Sequence, residues 1–355
     1  MPKITKNGKN DIKVIDLFCG IGGLTHGFQK EGFNVVAGID NDGSCKYGYE
    51  ANNDAIFIEK PIEEVSKDEL LEKYDNCKYK VLVGCAPCQP YSRLNLKKDT
   101  EKDFSPIEKF AKLINEIRPE IVSMENVRGL KKYPVFQEFI DNLKSQGYKV
   151  SFDVIDTSDY GVPQKRMRLV LLASLLGEIK LIDKTTEDPK KKKTVRDVIS
   201  KLPKIKDGEI SKNDIYHRSR KLNPLNKKRI KATKHNGGGT NDWSEELVLE
   251  CHKKDSGKTY KGTVYGRMRW DEPAPTMTTQ CIGIGNGRYG HPEQDRAISL
   301  REAALFQTFP KTYKFVDPKK DMKVGDVAKF IGNAVPVKLG QVIAKSINNH
   351  LQQFI

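Results

Sequence analysis

The chain has 355 residues, 37% of them apolar and 31% charged, with 62 Lys and Arg against 47 Asp and Glu for a net charge of +15. That length exceeds an ordinary single core, so two domains are expected, and the excess of cations calls for a polyanion, nucleic acid first. Seven cysteines, no apolar signal region in residues 1–13, and a longest apolar run (169–176, broken by Ser174) too short for a bilayer predict a reduced cytoplasmic protein, neither secreted nor membrane-bound.

In chain order, residues 13–18 read as a short apolar strand that ends in a glycine-rich turn. Residues 24–31 are helix-like, and 34–39 form the next strand. Residues 80–84 and 120–124 are buried strands, 107–117 and 135–146 carry helical periodicity, and 148–155 and 168–173 are later strands. Strand and helix in alternation predict an α/β fold with a mostly parallel sheet. After Ile182 the pattern dissolves. Residues 184–234 hold 18 Lys or Arg against 6 Asp or Glu, so +12 of the net +15 sits in this tract. A run of like charge is usually a solvated face, but this one is too long for a linker and is expected to contact phosphates. Residues 235–241, His-Asn-Gly-Gly-Gly-Thr-Asn, read as a flexible loop; regular structure returns at 300–306, and a helix closes the chain from about 337 to 351.

Four constellations carry chemistry. Asp16-Leu-Phe-Cys-Gly-Ile-Gly-Gly23, with Asp40 closing the following strand, lets backbone approach a ligand and offers a carboxylate to ribose hydroxyls. Its Gly-x-Gly-Gly spacing departs from the dinucleotide fingerprint and suits a nucleoside such as S-adenosylmethionine. Next, Gly84-Cys-Ala-Pro-Cys-Gln-Pro-Tyr-Ser92 follows a strand. Its Cys85 and Cys88 have the spacing of a redox pair or half a zinc site, but the strand–helix order is not thioredoxin-like and no second ligand pair is well spaced. A third reading makes Cys88 a thiol nucleophile at the sheet's carboxyl edge, with Cys85 inert. Glu125-Asn-Val127, again past a strand, offers an acid or hydrogen-bonding partner. In Gln164-Lys-Arg-Met-Arg168, alternation puts Arg166 and Arg168 on one face. A lone turn, a solvated Glu or a surface Arg is the plainer reading of each piece alone.

In order, these pieces resemble the cytosine-C5 DNA methyltransferase family, from near Ile15 to Ile347. They join Pro273-Ala-Pro-Thr-Met-Thr278, Arg301-Glu-Ala-Ala, Gln307-x-Phe-Pro310 and Gly332-Asn-Ala-Val-Pro336. The resemblance implies a Rossmann-like S-adenosylmethionine-dependent catalytic domain (1–183 plus 325–355) and an inserted target-recognition domain with hinge (184–324). It implies catalysis by Cys88, Glu125, Arg166 and Arg168, with Phe18, Gly20, Gly22, Gly23, Asp40, Pro87 and Asn333 around S-adenosylmethionine, S-adenosylhomocysteine as product, and no metal. Cys88 would attack C6 of a flipped-out cytosine in duplex DNA, Glu125 would hydrogen-bond N3 and the exocyclic amine, and Arg168 would contact O2. Residues 89–106 would close behind the base, with Gln89 and Ser92 at the DNA. Lys227, Lys228 and Arg229 are the expected phosphate contacts, and Asn236, Thr240, Asn241 and Arg267 the expected base readers. A monomer is expected, with a cognate restriction endonuclease as possible partner. The chain departs from the family's usual pattern in having Asp40 for Glu, Ala86 for Pro, and Lys60-Pro-Ile62 for Gly-Asp-Ile, which leaves the adenine-amino acceptor unassigned. A tRNA-cytosine methyltransferase shares the motifs and stands as the alternative. A silent binding module is disfavoured by the complete catalytic set, and a nicotinamide oxidoreductase by the glycine spacing.

Overall fold

A computed structural model describes residues 11–87, 105–186, 188–253 and 264–354. Its contacts divide the chain into two compact units, one of residues 1–160, 167–185 and 334–355, the other of 161–166 and 186–333.

The first unit is built on a seven-stranded sheet. Its strands are β1 (Ile12–Leu17), β2 (Asn34–Asp40), β3 (Ile56–Glu59), β4 (Tyr79–Gly84), β5 (Ile121–Val127), β6 (Lys149–Asp156) and β7 (Met167–Ser174), in the order β3-β2-β1-β4-β5-β7-β6. β1 to β5 pair in parallel, whereas β7 runs antiparallel to both β5 and β6. The strands are apolar on both faces, as a sheet covered on both sides requires. Val81 and Val83 join a core with α1 (Gly23–Lys30) and α11 (Val337–Leu351), while Leu82 between them joins another with α3 (Lys67–Tyr74), α4 (Ser105–Ile117) and α5 (Pro134–Ser145); the short α2 (Lys46–Glu50) lies between β2 and β3 in the chain. On the first face α1 and α11 touch backbone to backbone. A Cβ added to Gly27 would lie 2.6 Å from the Val337 carbonyl oxygen. The strand order reverses between β1 and β4, and at such a switch point an open α/β sheet leaves a crevice at its carboxyl edge.

The second unit has little sheet, a hairpin of β8 (Ile210–Ser211) and β9 (Asp214–Arg218), with helices α6 (Val195–Ile199), α7 (Pro224–Ala232), α8 (Glu250–Lys253), α9 (Leu300–Phe306) and α10 (Val324–Asn333). Arginines hold its irregular backbone together. The fully buried Arg267 donates to the carbonyls of Thr233, His291, Gln294 and Ile230 and pairs with Asp295. Arg296 grips Glu302 through two 2.7 Å bonds, and Arg301 grips Asp214 at 2.6 and 3.0 Å. This is why apolar periodicity fades after Ile182: polar side chains satisfy the backbone that strands would otherwise have paired.

Candidate active site

The carboxyl edge of the sheet at β1, β2, β4 and β5 collects the first-unit residues singled out above. Past β1 the chain turns through Phe18 (φ 59°), Gly20 (φ 49°) and Gly22 (φ 86°) before α1 begins at Gly23. Three left-handed residues in five explain the glycines; Phe18, a bulky residue with a similar φ, is the strained exception. Asp40 locks this turn. Its Oδ2 accepts from the Gly20 amide at 2.8 Å and its Oδ1 from the Asp42 amide at 2.9 Å. Each carboxylate oxygen accepts more than one hydrogen bond, so a half-buried Asp40 can also take ligand hydroxyls.

Asp16 lies beneath, 1% exposed. Its Oδ2 accepts from the Thr25 hydroxyl at 2.7 Å, which in turn meets the Tyr49 hydroxyl at 3.1 Å, while its Oδ1 is buried without a hydrogen-bond partner. Burial, with a smaller push from the charge of Asp40, raises its pKa to about 7 against the pull of Thr25. A half-ionised carboxyl with one unsatisfied oxygen suits a cationic or donating ligand group.

The loop after β4 is pinned from both sides. Cys85 donates its amide to the Leu17 carbonyl at 3.3 Å, and Asn126 Nδ2 donates to the Ala86 carbonyl at 3.2 Å. Burial and the charges of Glu125 and Asp16 push the Cys85 thiol well above its ordinary range, which disfavours its thiolate. Pro87 is exposed at the end of the described segment. Cys88, Gln89 and Ser92 lie outside the described residues. Asn126 was not singled out in the sequence; its place between Glu125 and Val127 was the only signal.

Glu125 is 6% exposed on β5. Its Oε1 sits 2.9 Å from Arg168 Nε on β7 but out of line with the N–H, so the contact is an ion pair that leaves the oxygen's hydrogen-bonding capacity open. Arg168 also donates from Nη1 to the Met167 carbonyl. Arg166 belongs to the second unit. There it is buried and donates to the carbonyls of Met277 (2.8 Å) and Gly332 (3.4 Å), whereas Arg168 belongs to the first unit. Asn333, exposed at the end of α10, is likewise in the second unit.

The DNA-contacting set needs correction. Lys228 is exposed on α7, and Lys227 is exposed with its ammonium 3.3 Å from Asp207. Arg229 is instead buried on the same helix; its Nε donates to the Leu247 carbonyl and its guanidinium lies over the rings of Trp243 and Tyr265. It packs the unit and is withdrawn from the phosphate-contacting set. Arg267 is no base reader, since it is spent on four carbonyls and Asp295. Thr240 is buried, its hydroxyl turned inward, whereas Asn236 and Asn241 are exposed. Nor is the 235–241 loop slack: Asp242 Oδ2 accepts from the amides of Lys234 and Gly239, and Asn236 Oδ1 accepts from the Trp270 amide at 2.7 Å.

Among the described residues no group of three or more His, Cys, Asp or Glu is arranged to hold a metal, and no helix is long and apolar enough to cross a membrane.

The chain is similar in sequence and fold to known proteins. The C-5 cytosine-specific DNA methylase family model matches residues 12–349. The chain is 54% identical over 342 residues to type II methylase M.HgiDII of Herpetosiphon aurantiacus, covering 96% of each, and 30% identical to type II methyltransferase M.Eco47II of Escherichia coli, covering 98% of this chain and 81% of the relative. Among solved structures it resembles an E. coli protein described as a prophage-encoded DNA modification methyltransferase (TM-score 0.71, 20% identity, 96% and 99% of the two chains). It also resembles Spodoptera frugiperda DNMT2 (TM-score 0.59, 19% identity, 95% and 99%). The chain belongs to the C-5 cytosine-specific DNA methylase family, and its enzyme class is DNA (cytosine-5)-methyltransferase.

Proposed function

We propose that this protein is a type II modification methyltransferase that moves a methyl group from S-adenosylmethionine to C5 of a cytosine flipped out of a defined duplex DNA word, with Cys88 as nucleophile. The observation that carries this reading is the convergence at one switch point of a glycine-rich turn locked by Asp40, the pinned loop leading to Cys88, and the Glu125–Arg168 pair.

The residues fit the cofactor. Asp40 can accept ribose hydroxyls, the strained turn at Phe18 opens a face for the adenine, and the unpartnered Asp16 oxygen calls for a donor such as an ammonium. When bound, S-adenosylmethionine supplies an electrophilic methyl group. The chain's task is to make C5 nucleophilic, which it is not in an aromatic pyrimidine. Cys88 bonds to C6 as a thiolate, and the displaced electron pair makes C5 an enamine carbon. Glu125 hydrogen-bonds N3 and the amine, stabilising the charge that builds there, and Arg168 keeps Glu125 in place and oriented. Once C5 carries the methyl group that bound S-adenosylmethionine would supply, with S-adenosylhomocysteine as the leaving product, loss of the C5 proton to a base and expulsion of the Cys88 thiolate restore the ring. Extracting the base costs a few kcal/mol, which contacts from the second unit would offset. A cytoplasmic enzyme acting as a monomer, beside an endonuclease of the same specificity, completes the proposal.

The test uses a duplex with 5-fluorocytosine at the target, from which no C5 proton can leave. Wild-type protein should be trapped covalently, whereas Cys88→Ser should neither trap nor methylate yet still bind S-adenosylmethionine. Trapping lost in Cys85→Ser and kept in Cys88→Ser would reverse the assignment. Methyl transfer to tRNA and not to duplex DNA would establish the alternative substrate.

A further inference from the structure

Three successive glycines, Gly237 to Gly239, make a poor recognition loop unless something outside them holds their shape, because glycine has the most backbone freedom to lose. In the second unit that something is Arg288, half-buried and absent from every motif above. Its Nη2 donates to the carbonyls of Gly237 at 2.6 Å, Arg267 at 3.0 Å and Gly238 at 3.2 Å. One nitrogen thus gathers two loop carbonyls and the segment beside them. Gly266 leaves it room: a Cβ there would come within 2.6 Å of Arg288 Nη1 and would push the guanidinium from its place.

The loop is closed from its other sides too. Gly238 donates to the Lys234 carbonyl at 3.1 Å and accepts from the Arg267 amide at 2.9 Å, while the Asn236 amide donates to the Pro292 carbonyl at 2.8 Å. At Gly237 (φ +108°) a Cβ would lie 2.4 Å from Arg269 Nε, so the Arg269 stem lies flat on the loop. The Arg269 side chain is 55% exposed and pairs with Glu272 at 2.9 Å. His235, Asn241 and Arg269 are therefore exposed polar groups on or over a loop whose own backbone is tied down.

We propose that Arg288 is a positioning residue for base recognition: it touches no DNA but fixes the 234–242 loop so that Asn241 and Arg269 meet base edges in one geometry. This rests on the reading of the second unit as the target-recognition part of the enzyme. Base discrimination depends on donors and acceptors held in register, and a binder that orders its contacts beforehand loses less on binding. A loosened loop still binds DNA through phosphate contacts but distinguishes words less well. Lysine is only a partial substitute: its ammonium also brings donors to one nitrogen, but on a flexible stem without the planar guanidinium that fixes the direction of the N–H bonds.

The experiment compares wild-type protein with Arg288→Ala and Arg288→Lys on the cognate duplex and on duplexes with one base pair changed. KM, kcat and melting temperature are measured for each. Wild-type discrimination should fall by about tenfold in Arg288→Ala, of the order of one lost base contact, with KM for cognate duplex raised and kcat at saturating DNA within about twofold. Arg288→Lys should fall between the two. Hydrogen exchange on full-length wild-type protein should show protected amides at Gly238 and Gly239, with protection lost in Arg288→Ala and reduced in Arg288→Lys. Unchanged discrimination in both variants overturns the inference, as does a lowered melting temperature with discrimination intact, which would make Arg288 a packing residue only. If wild-type protein methylates no duplex at all, the reading beneath fails; if it is word-specific and Arg288→Ala is equally so, only the role of Arg288 fails.

Discussion

Glu302 is the most exacting place to test how the second unit is held together. It and Arg296 are 1% and 0% exposed. Arg296 meets both carboxylate oxygens at 2.7 Å, the Ser299 amide adds a third bond at 2.7 Å, and the Ser299 hydroxyl caps α9 in return. Burial alone would raise the carboxyl's pKa, but the charge and hydrogen bonds of Arg296 outweigh it and hold the group at about 2, below its usual 4.5. His291, 3.7 Å away, brings no second cation, because burial lowers its own pKa to about 3.

A depressed carboxylate stabilises the fold above its unfolded pKa. The contribution is complete above about pH 4.5 and is lost as pH falls toward 2, and the gap corresponds to about 3 kcal/mol. Removing the carboxylate at neutral pH leaves Arg296 buried and unpaired, a loss of about 3–5 kcal/mol. Glu302→Ala should therefore lower the second unit's melting temperature by roughly 10 °C, at about 2–4 °C per kcal/mol for a unit of this size. Arg296→Met with Glu302→Leu removes both charges and should cost less than either change to alanine. Calorimetry or urea titration of the full chain reads both. A Glu302→Ala protein within about 1 kcal/mol of wild type, or a double variant worse than the two singles together, would refute the buried-pair account.

Gly332→Ala puts a Cβ 2.2 Å from the Thr278 carbonyl carbon, and Gly27→Ala puts one 2.6 Å from the Val337 carbonyl oxygen. Since backbone cannot swing aside as a side chain can, each should cost about 1–3 kcal/mol or more in urea unfolding, and a neutral result would show that the elements give way. Asp16, with its pKa raised to about 7, retains a proton that the unfolded chain has released. Stability should therefore be full below about pH 4 and decline as pH rises to 7, by a few kcal/mol, and Asp16→Asn should abolish that decline; parallel pH profiles would refute it. On α7, Lys228→Ala with Lys231→Ala should make the log–log salt dependence of duplex binding shallower by about 1 per real contact, while Arg229→Ala should destabilise the unit at unchanged slope.

The first unit was legible because its strands are short apolar runs between turn residues. β1, β2, β4, β6 and β7 fall within a residue or two of the expected runs, β5 runs three residues past its expected end at 124, and α11 matches the expected 337–351 span. β3 was missed because Ile-Phe-Ile-Glu at a sheet edge buries only Phe57. α3 was missed too, although Ser66 and Glu69 carry the Ser-x-x-Glu spacing of a helix start, and the Ser66 hydroxyl does accept from the Glu69 amide. The reversal of β7 left no mark, since buried parallel and antiparallel strands read alike.

Two of the misread residues in the second unit, Arg229 and Arg267, share one cause. Arg229, Arg267 and Arg288 carry charges that a sequence count assigns to a partner, yet all three spend guanidinium nitrogens on backbone carbonyls of their own unit. A unit with few strand ladders must satisfy its carbonyls by side chains, and arginine, with five donors in one plane, does so most economically. Net charge thus overstates the surface available to DNA. Composition identifies the partner's sign, while the contact residues are to be sought among cations with no carbonyl to serve, which makes exposed Lys228 a better candidate than its neighbour Arg229.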